Sequence, residues 1–331
     1  MQIFEEVYNK YPRIKIEGQS DLECGFLQGK DIISALDFVV KERGVDSKEL
    51  SFKLILSRDY VLTHNRIHIE KIKDDGKTDR MNQPNGEFIP RFLYKDEYKK
   101  IEAKTQCDGM ININCGKLRL LKTDKIFVSS VIVHEVGHYL DFKLLLPEIE
   151  KRYGFDFQEV KVKRDRCDAI GGMYIAYSEM HAKYLQEKYD VVNRYITKEC
   201  IVKNYRKVLY TTENKTEQYD GMNLIITPKN CNLKVDYIKG EDDIHVIYYK
   251  AQHFVGSSKA WSEIFEGEEK IVSEIKNAKG KYIDEVNNYR EIIDQMEGVF
   301  DWKDLLLCCD DIRNYSEDEF RKKSGWYDSG K

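Results

Sequence analysis

The chain has no CxxC pair, no Pro/Gly/Ser-rich linker, no internal repeat and no low-complexity tract. Its eight cysteines, Cys24, Cys107, Cys115, Cys167, Cys200, Cys231, Cys308 and Cys309, are scattered along it. That excludes a thiolate zinc ribbon or a CxxC redox motif. The first residues, MQIFEEVYNKYPRIK, carry acidic side chains and no apolar stretch, so no signal peptide is expected. A chain of this length without an export signal is not a disulfide scaffold, and reduced thiols in a cytoplasm are expected. No segment reads as a membrane-spanning helix, so no membrane partner is expected. The formal charge of −4 and pI near 6.1 show no bias toward polyanions, and no nucleic-acid partner is expected. Histidine is also scarce, at 7 in 331 residues, so two placed together carry information.

What is present is a long, charged chain. Its 331 residues can bury a sizeable core and accommodate two domains. Its Lys, Ile, Asn and Tyr richness suits an AT-rich bacterial or phage genome. No sequence feature speaks to oligomeric state.

The most informative run is His134-Glu135-Val136-Gly137-His138. Residues i and i+4 of a helix lie one above the other, so both imidazoles face one point. Glu135 lies beside them, where a carboxylate can take a proton from water. This is the HExxH pattern of zinc metallopeptidases. The run sits within KIFVSSVIVHEVGHYLDFKLLL, residues 125–146, with Thr123 and Asp124 as candidate N-caps and Pro147 as a stop. That segment is apolar almost all round, which predicts burial. Buried His and Glu need partners, and one cation supplies all three. Gly137 inside the helix calls for a reason, such as the close approach of another element.

A catalytic zinc takes three protein ligands and leaves one open position. Glu179, in IAYSEMHAKYLQEKY, is the favoured third ligand, because a second helix can close a tetrahedron. Asp141, His181 and a cysteine are the rivals. Asp141 continues the line of the two histidines and suits an acceptor for an imidazole N–H. His181 is two residues from Glu179 and points to another side of its helix. Tyr174, Tyr177 and His181 are candidate donors to an oxyanion.

HEVGHYLD followed by a helix carrying SEMHAKY resembles the gluzincin branch of the zincins. The resemblance covers roughly residues 105–190. Glu179-x-x-Ala182 is similar to the second-helix pattern of the anthrax lethal-factor-like and Pro-Pro endopeptidase group, and of the ImmA/IrrE-like peptidases. The lethal-factor-like pattern places a tyrosine seven residues before the glutamate, where this chain has Gly172. The resemblance implies a glutamate ligand from the later helix, Zn2+ as cofactor, and an edge strand just before the motif helix that pairs with substrate.

Elsewhere, residues 29–43 read as a helix ended by Gly44, 51–57 and 66–72 as strands, 73–90 as a mobile loop, and 109–115 as the strand before the motif. Residues 155–168 read as a connection with a basic cluster, Lys161, Lys163, Arg164 and Arg166. The Gly171-Gly172 pair reads as a flexible approach to the second helix. Residues 222–249 read as three short strands near His245 and His253, and 271–296 as a helical stripe. The expected fold is α+β: a zincin-like domain over 1–190, with a small mixed sheet and the motif helix, then a C-terminal lobe over 191–331 of short strands and helices. The expected activity is a zinc-dependent metalloendopeptidase acting on a protein or peptide substrate. His134, His138 and Glu179 would hold the metal, with Glu135 as general base. The alternative is a zinc-binding regulatory protein of a bacterial or phage mobile element, with little or no catalysis.

Overall fold

A computed structural model describes residues 4–18, 27–72, 83–104, 107–154, 156–158 and 169–194, with residues 256, 259–260, 263–264 and 266. The chain falls into two compact units, residues 1–147 and 148–331. The expectations for residues 159–168, 222–249 and 271–296 lie outside the described residues.

The first unit is a mixed α+β unit around a four-stranded sheet of order β1-β2-β4-β3. The strands are β1 Lys15–Gly18, β2 Phe52–Ser57, β3 Gly86–Pro90 and β4 Gly109–Asn114. β1, β2 and β4 run parallel, and β3 is antiparallel to β4. The helices are α1 Glu5–Lys10, α2 Gly29–Arg43, α3 Tyr60–Ile67, α4 Asp96–Ile101, α5 Cys115–Leu120 and α6 Lys125–Leu140. α2 ends at Gly44, whose φ of 60° is the left-handed conformation that closes helices and that glycine adopts without strain. α6 starts at Asp124, whose carboxylate accepts from the Phe127 N–H at 2.8 Å.

Four expectations are corrected in this unit. Residues 109–115 are not an edge strand: β4 is paired on both sides by β2 and β3 and is wholly buried. The strand at the sheet edge beside the motif helix is β3, from a stretch that reads as loop. Turn dipeptides and two prolines mask it in the sequence, but pairing with β4 imposes it. Residues 66–72 are not a strand, because the Asp59 carboxylate caps α3 through the Leu62 N–H and the helix runs to Ile67. Pro147 does not stop the motif helix. A wide π turn over Asp141–Leu145 follows α6, and α7 Leu146–Tyr153 begins there. Pro147 comes just after the π turn, as the second residue of α7.

Alternation along β3 and β4 gives the sheet two covered faces. Phe88 meets the Tyr139 and Phe142 rings at 5.7 and 5.4 Å, so that face lies under α6. Ile89 and Met110 join Ile55, Ile67, Tyr94 and Tyr98 in a cluster on the other face, beneath α3. Burying whole side chains of this kind contributes about 1.5–3 kcal/mol each. The far end of α6 is tied down by polar groups. The Tyr139 hydroxyl accepts from the Ser51 N–H at 2.9 Å, and Lys143 donates to the Glu49 carbonyl at 2.7 Å and to Asp108 at 3.0 Å.

The described part of the second unit is built on α8 Ala169–Arg194. Gly171 and Gly172 lie inside this helix, not in a flexible approach to it. α8 carries i,i+4 ion pairs Lys183–Glu187 and Asp190–Arg194, each 2.6 Å long. Glu263 accepts from Tyr184 at 2.6 Å and from Lys188 at 3.2 Å. Among the described residues no helix is long and apolar enough to cross a membrane.

Candidate metal centre

α6 is buried along nearly its full length because its surface is apolar almost all round. His134 is 8 % exposed and Glu135 5 %. The helical repeat stacks His134 over His138, and their Nε2 atoms stand 3.1 Å apart with the ring planes at 83°. Two ligands about 2.1 Å from one zinc at a tetrahedral angle would be ~3.4 Å apart. The observed spacing is within a few tenths of an ångström of that value.

Glu179 lies on α8 and is partly exposed. His134 and His138 on α6 and Glu179 on α8 each offer one donor atom of a kind that holds a divalent cation. Two imidazoles and a carboxylate fit a catalytic zinc. The set also suits other divalent transition metals. Glu179 and His181 are about 200° apart around the helix axis, so only one of them can face a given point. His181 is buried and stacks on Tyr177 at 5.5 Å and on Tyr184 at 6.2 Å. Tyr174 is buried and packs edge-on against Phe157 at 5.2 Å. Tyr174, Tyr177 and His181 thus share a stripe of α8 opposite Glu179. Burial, with Glu263 next in effect, pushes the Tyr184 hydroxyl at the end of that stripe up to about 12.

Asp141, first residue of the π turn, is fully buried and accepts from Arg43 at 2.9 Å. π turns occur often beside functional sites. Cys107 and Cys115 are both buried.

Sequence reasoning missed the surroundings of Glu135. Gly86, first residue of β3, faces its carboxylate. A Cβ on Gly86 would lie 2.9 Å from Glu135 Oε1 and 3.0 Å from its Cγ. Glu87, the next residue, points to the opposite face of the sheet. It accepts from His64 Nδ1 at 2.8 Å and from Asn112 at 3.0 Å. The Tyr60 hydroxyl lies near Glu87. Burial, then Glu87, then the more distant Glu135 charge hold that hydroxyl far above the ordinary phenol range. His64 Nε2 faces the Glu70 carbonyl at 3.1 Å. The His68 ring stacks on His64 at 4.6 Å and accepts from the Glu70 N–H at 2.9 Å. Burial, and then the neighbouring His64, depress protonation of His68. Only the register that sets Glu87 opposite Asn112 assembles this group, and no local pattern encodes it.

The chain matches no protein-family model, no curated protein and no solved structure.

Proposed function

We propose that the protein is a zinc-dependent metalloendopeptidase with a zincin-like fold, and that His134, His138 and Glu179 hold the metal. The observation that carries this reading is the pair of Nε2 atoms 3.1 Å apart on a capped, buried helix, with Glu135 between the two histidines in sequence. The Glu179 carboxylate on α8 would supply the third donor. Zinc bound there would acidify its water and polarise the scissile carbonyl.

The chain's own residues do the rest. Glu135 accepts a proton from the attacking water as oxygen bonds to the carbonyl carbon. It then delivers that proton to the leaving amine as the C–N bond breaks. β3 is an edge strand of the described sheet and packs beside α6, so an extended peptide can add to it as a further strand. The reading gives Tyr174, Tyr177 and His181 no step, since they share a stripe opposite Glu179. The buried thiols Cys107 and Cys115 suit a reducing compartment, and we place the activity in the cytoplasm.

The test is chelation and reloading. Protein stripped of metal should lose cleavage of an unstructured protein substrate and regain it with one equivalent of zinc. Cleavage that survives complete metal removal would defeat the reading. A stable complex with a partner that is never cut would favour the regulatory alternative.

A further inference from the structure

We infer that Gly86 is a positioning residue for Glu135: the missing side chain on β3 sets where the general base's carboxylate sits. This rests on the hydrolytic reading of Glu135. Glycine weakens a strand, so one inside it marks a close approach. Gly86 is not among the described glycines with positive φ, which are Gly44 and Gly154. The requirement at position 86 is therefore space, not backbone conformation. The space is taken by Glu135, whose Oε1, Cγ and Cδ would lie 2.9, 3.0 and 3.2 Å from an added Cβ.

The neighbouring residue decides which partner would give way. Glu87 is held by His64 at 2.8 Å and by Asn112 at 3.0 Å. These donors come from α3 and β4, and β3 cannot move outward without breaking partly buried bonds to a carboxylate. Asn114 adds a further tie, donating to the Pro84 carbonyl at 3.0 Å just before the strand. A methyl group at position 86 thus displaces the Glu135 carboxylate rather than the strand. The three heavy atoms nearest to it all belong to Glu135.

The experiment compares Gly86→Ala in the full chain with and without Glu135→Ala, reading melting temperature, zinc content and peptide cleavage. Overpacking in the wild-type background should lower the melting temperature by about 3–10 °C. In the Glu135→Ala background the same substitution should cost almost nothing, because the clash is gone. Zinc content should stay at the wild-type level. For cleavage, kcat should fall about 10- to 100-fold with KM within about twofold, as expected when a catalytic group is misplaced. An equal melting shift in both backgrounds overturns the inference, as does an undiminished kcat in an active enzyme. If wild type holds no zinc and cuts nothing, the hydrolytic reading fails, while the melting comparison still decides whether Gly86 fixes Glu135.

Discussion

Arg43, the last residue of α2, donates to Asp141, three residues beyond His138, across 2.9 Å. The Asp141 side chain is fully buried and that of Arg43 is 14 % exposed. The pair clamps the end of the motif helix to its neighbour at the point where the helix widens into the π turn. Removing one partner of a buried pair leaves a desolvated charge and costs about 3–5 kcal/mol. Arg43→Met should destabilise the protein by that amount in urea denaturation. The double change Arg43→Met with Asp141→Leu should cost less than Arg43→Met alone. A surface-like loss below ~1 kcal/mol for Arg43→Met would contradict the clamp.

The other end of the same helix turn is held by Tyr139. Its hydroxyl accepts from the buried Ser51 N–H at 2.9 Å and lies 2.8 Å from the Glu49 carbonyl. Tyr139→Phe keeps the ring against Phe52 and Phe88 and removes only the oxygen. Leaving the Ser51 N–H without that acceptor should cost about 1–3 kcal/mol. Zinc content should not change, since neither imidazole is touched. Denaturation and metal analysis of one preparation check both halves.

Glu179 and His181 make opposite predictions although they are two residues apart. Glu179→Gln should weaken zinc binding by more than the roughly 10- to 100-fold typical of losing a group that merely orients a ligand. His181→Ala should leave zinc affinity near wild type and lower stability, because its ring stacks between Tyr177 and Tyr184. Zinc titration against a competing chelator distinguishes the two. Loss of zinc from His181→Ala with retention in Glu179→Gln would reverse the assignment.

Acid should unfold the first unit partly through Glu17. Burial alone would raise its pKa, but hydrogen bonds and charge from Lys53 and Arg66 outweigh that and hold it below the ordinary value. A carboxylate with a depressed folded pKa stabilises the fold above its unfolded pKa and loses that contribution as pH falls through the folded one. The effect should therefore be complete above about pH 5 and fade below about pH 4. Glu17→Gln should flatten the fall in melting temperature across that window. An unchanged slope would show that the contacts with Lys53 and Arg66 contribute nothing.

How far the molecule was legible depended on the range of the interactions involved. α2, α6 and α8 could be read because caps, apolar periodicity and the left-handed Gly44 are local signals. β2 was readable as a short apolar run. β3 was not, since its strand state comes from hydrogen bonds to β4 rather than from Gly-Glu-Phe-Ile-Pro itself. The alternation in residues 66–72 misled, because the helix capped by Asp59 runs on to Ile67, into the start of that run. At the site, the imidazole pair follows from helical spacing alone. Gly86, Glu87 and Tyr60 do not, because strand register sets Gly86 against Glu135 and turns Glu87 toward α3 on the other face.

The most direct measurement is zinc stoichiometry together with peptide hydrolysis in wild type and Glu135→Gln. The account predicts about one zinc per chain in both proteins, and hydrolysis reduced about 100- to 10,000-fold in the variant, the range for losing a general base. A wild-type protein that binds no metal, or a Glu135→Gln variant that cleaves at the wild-type rate, would contradict it.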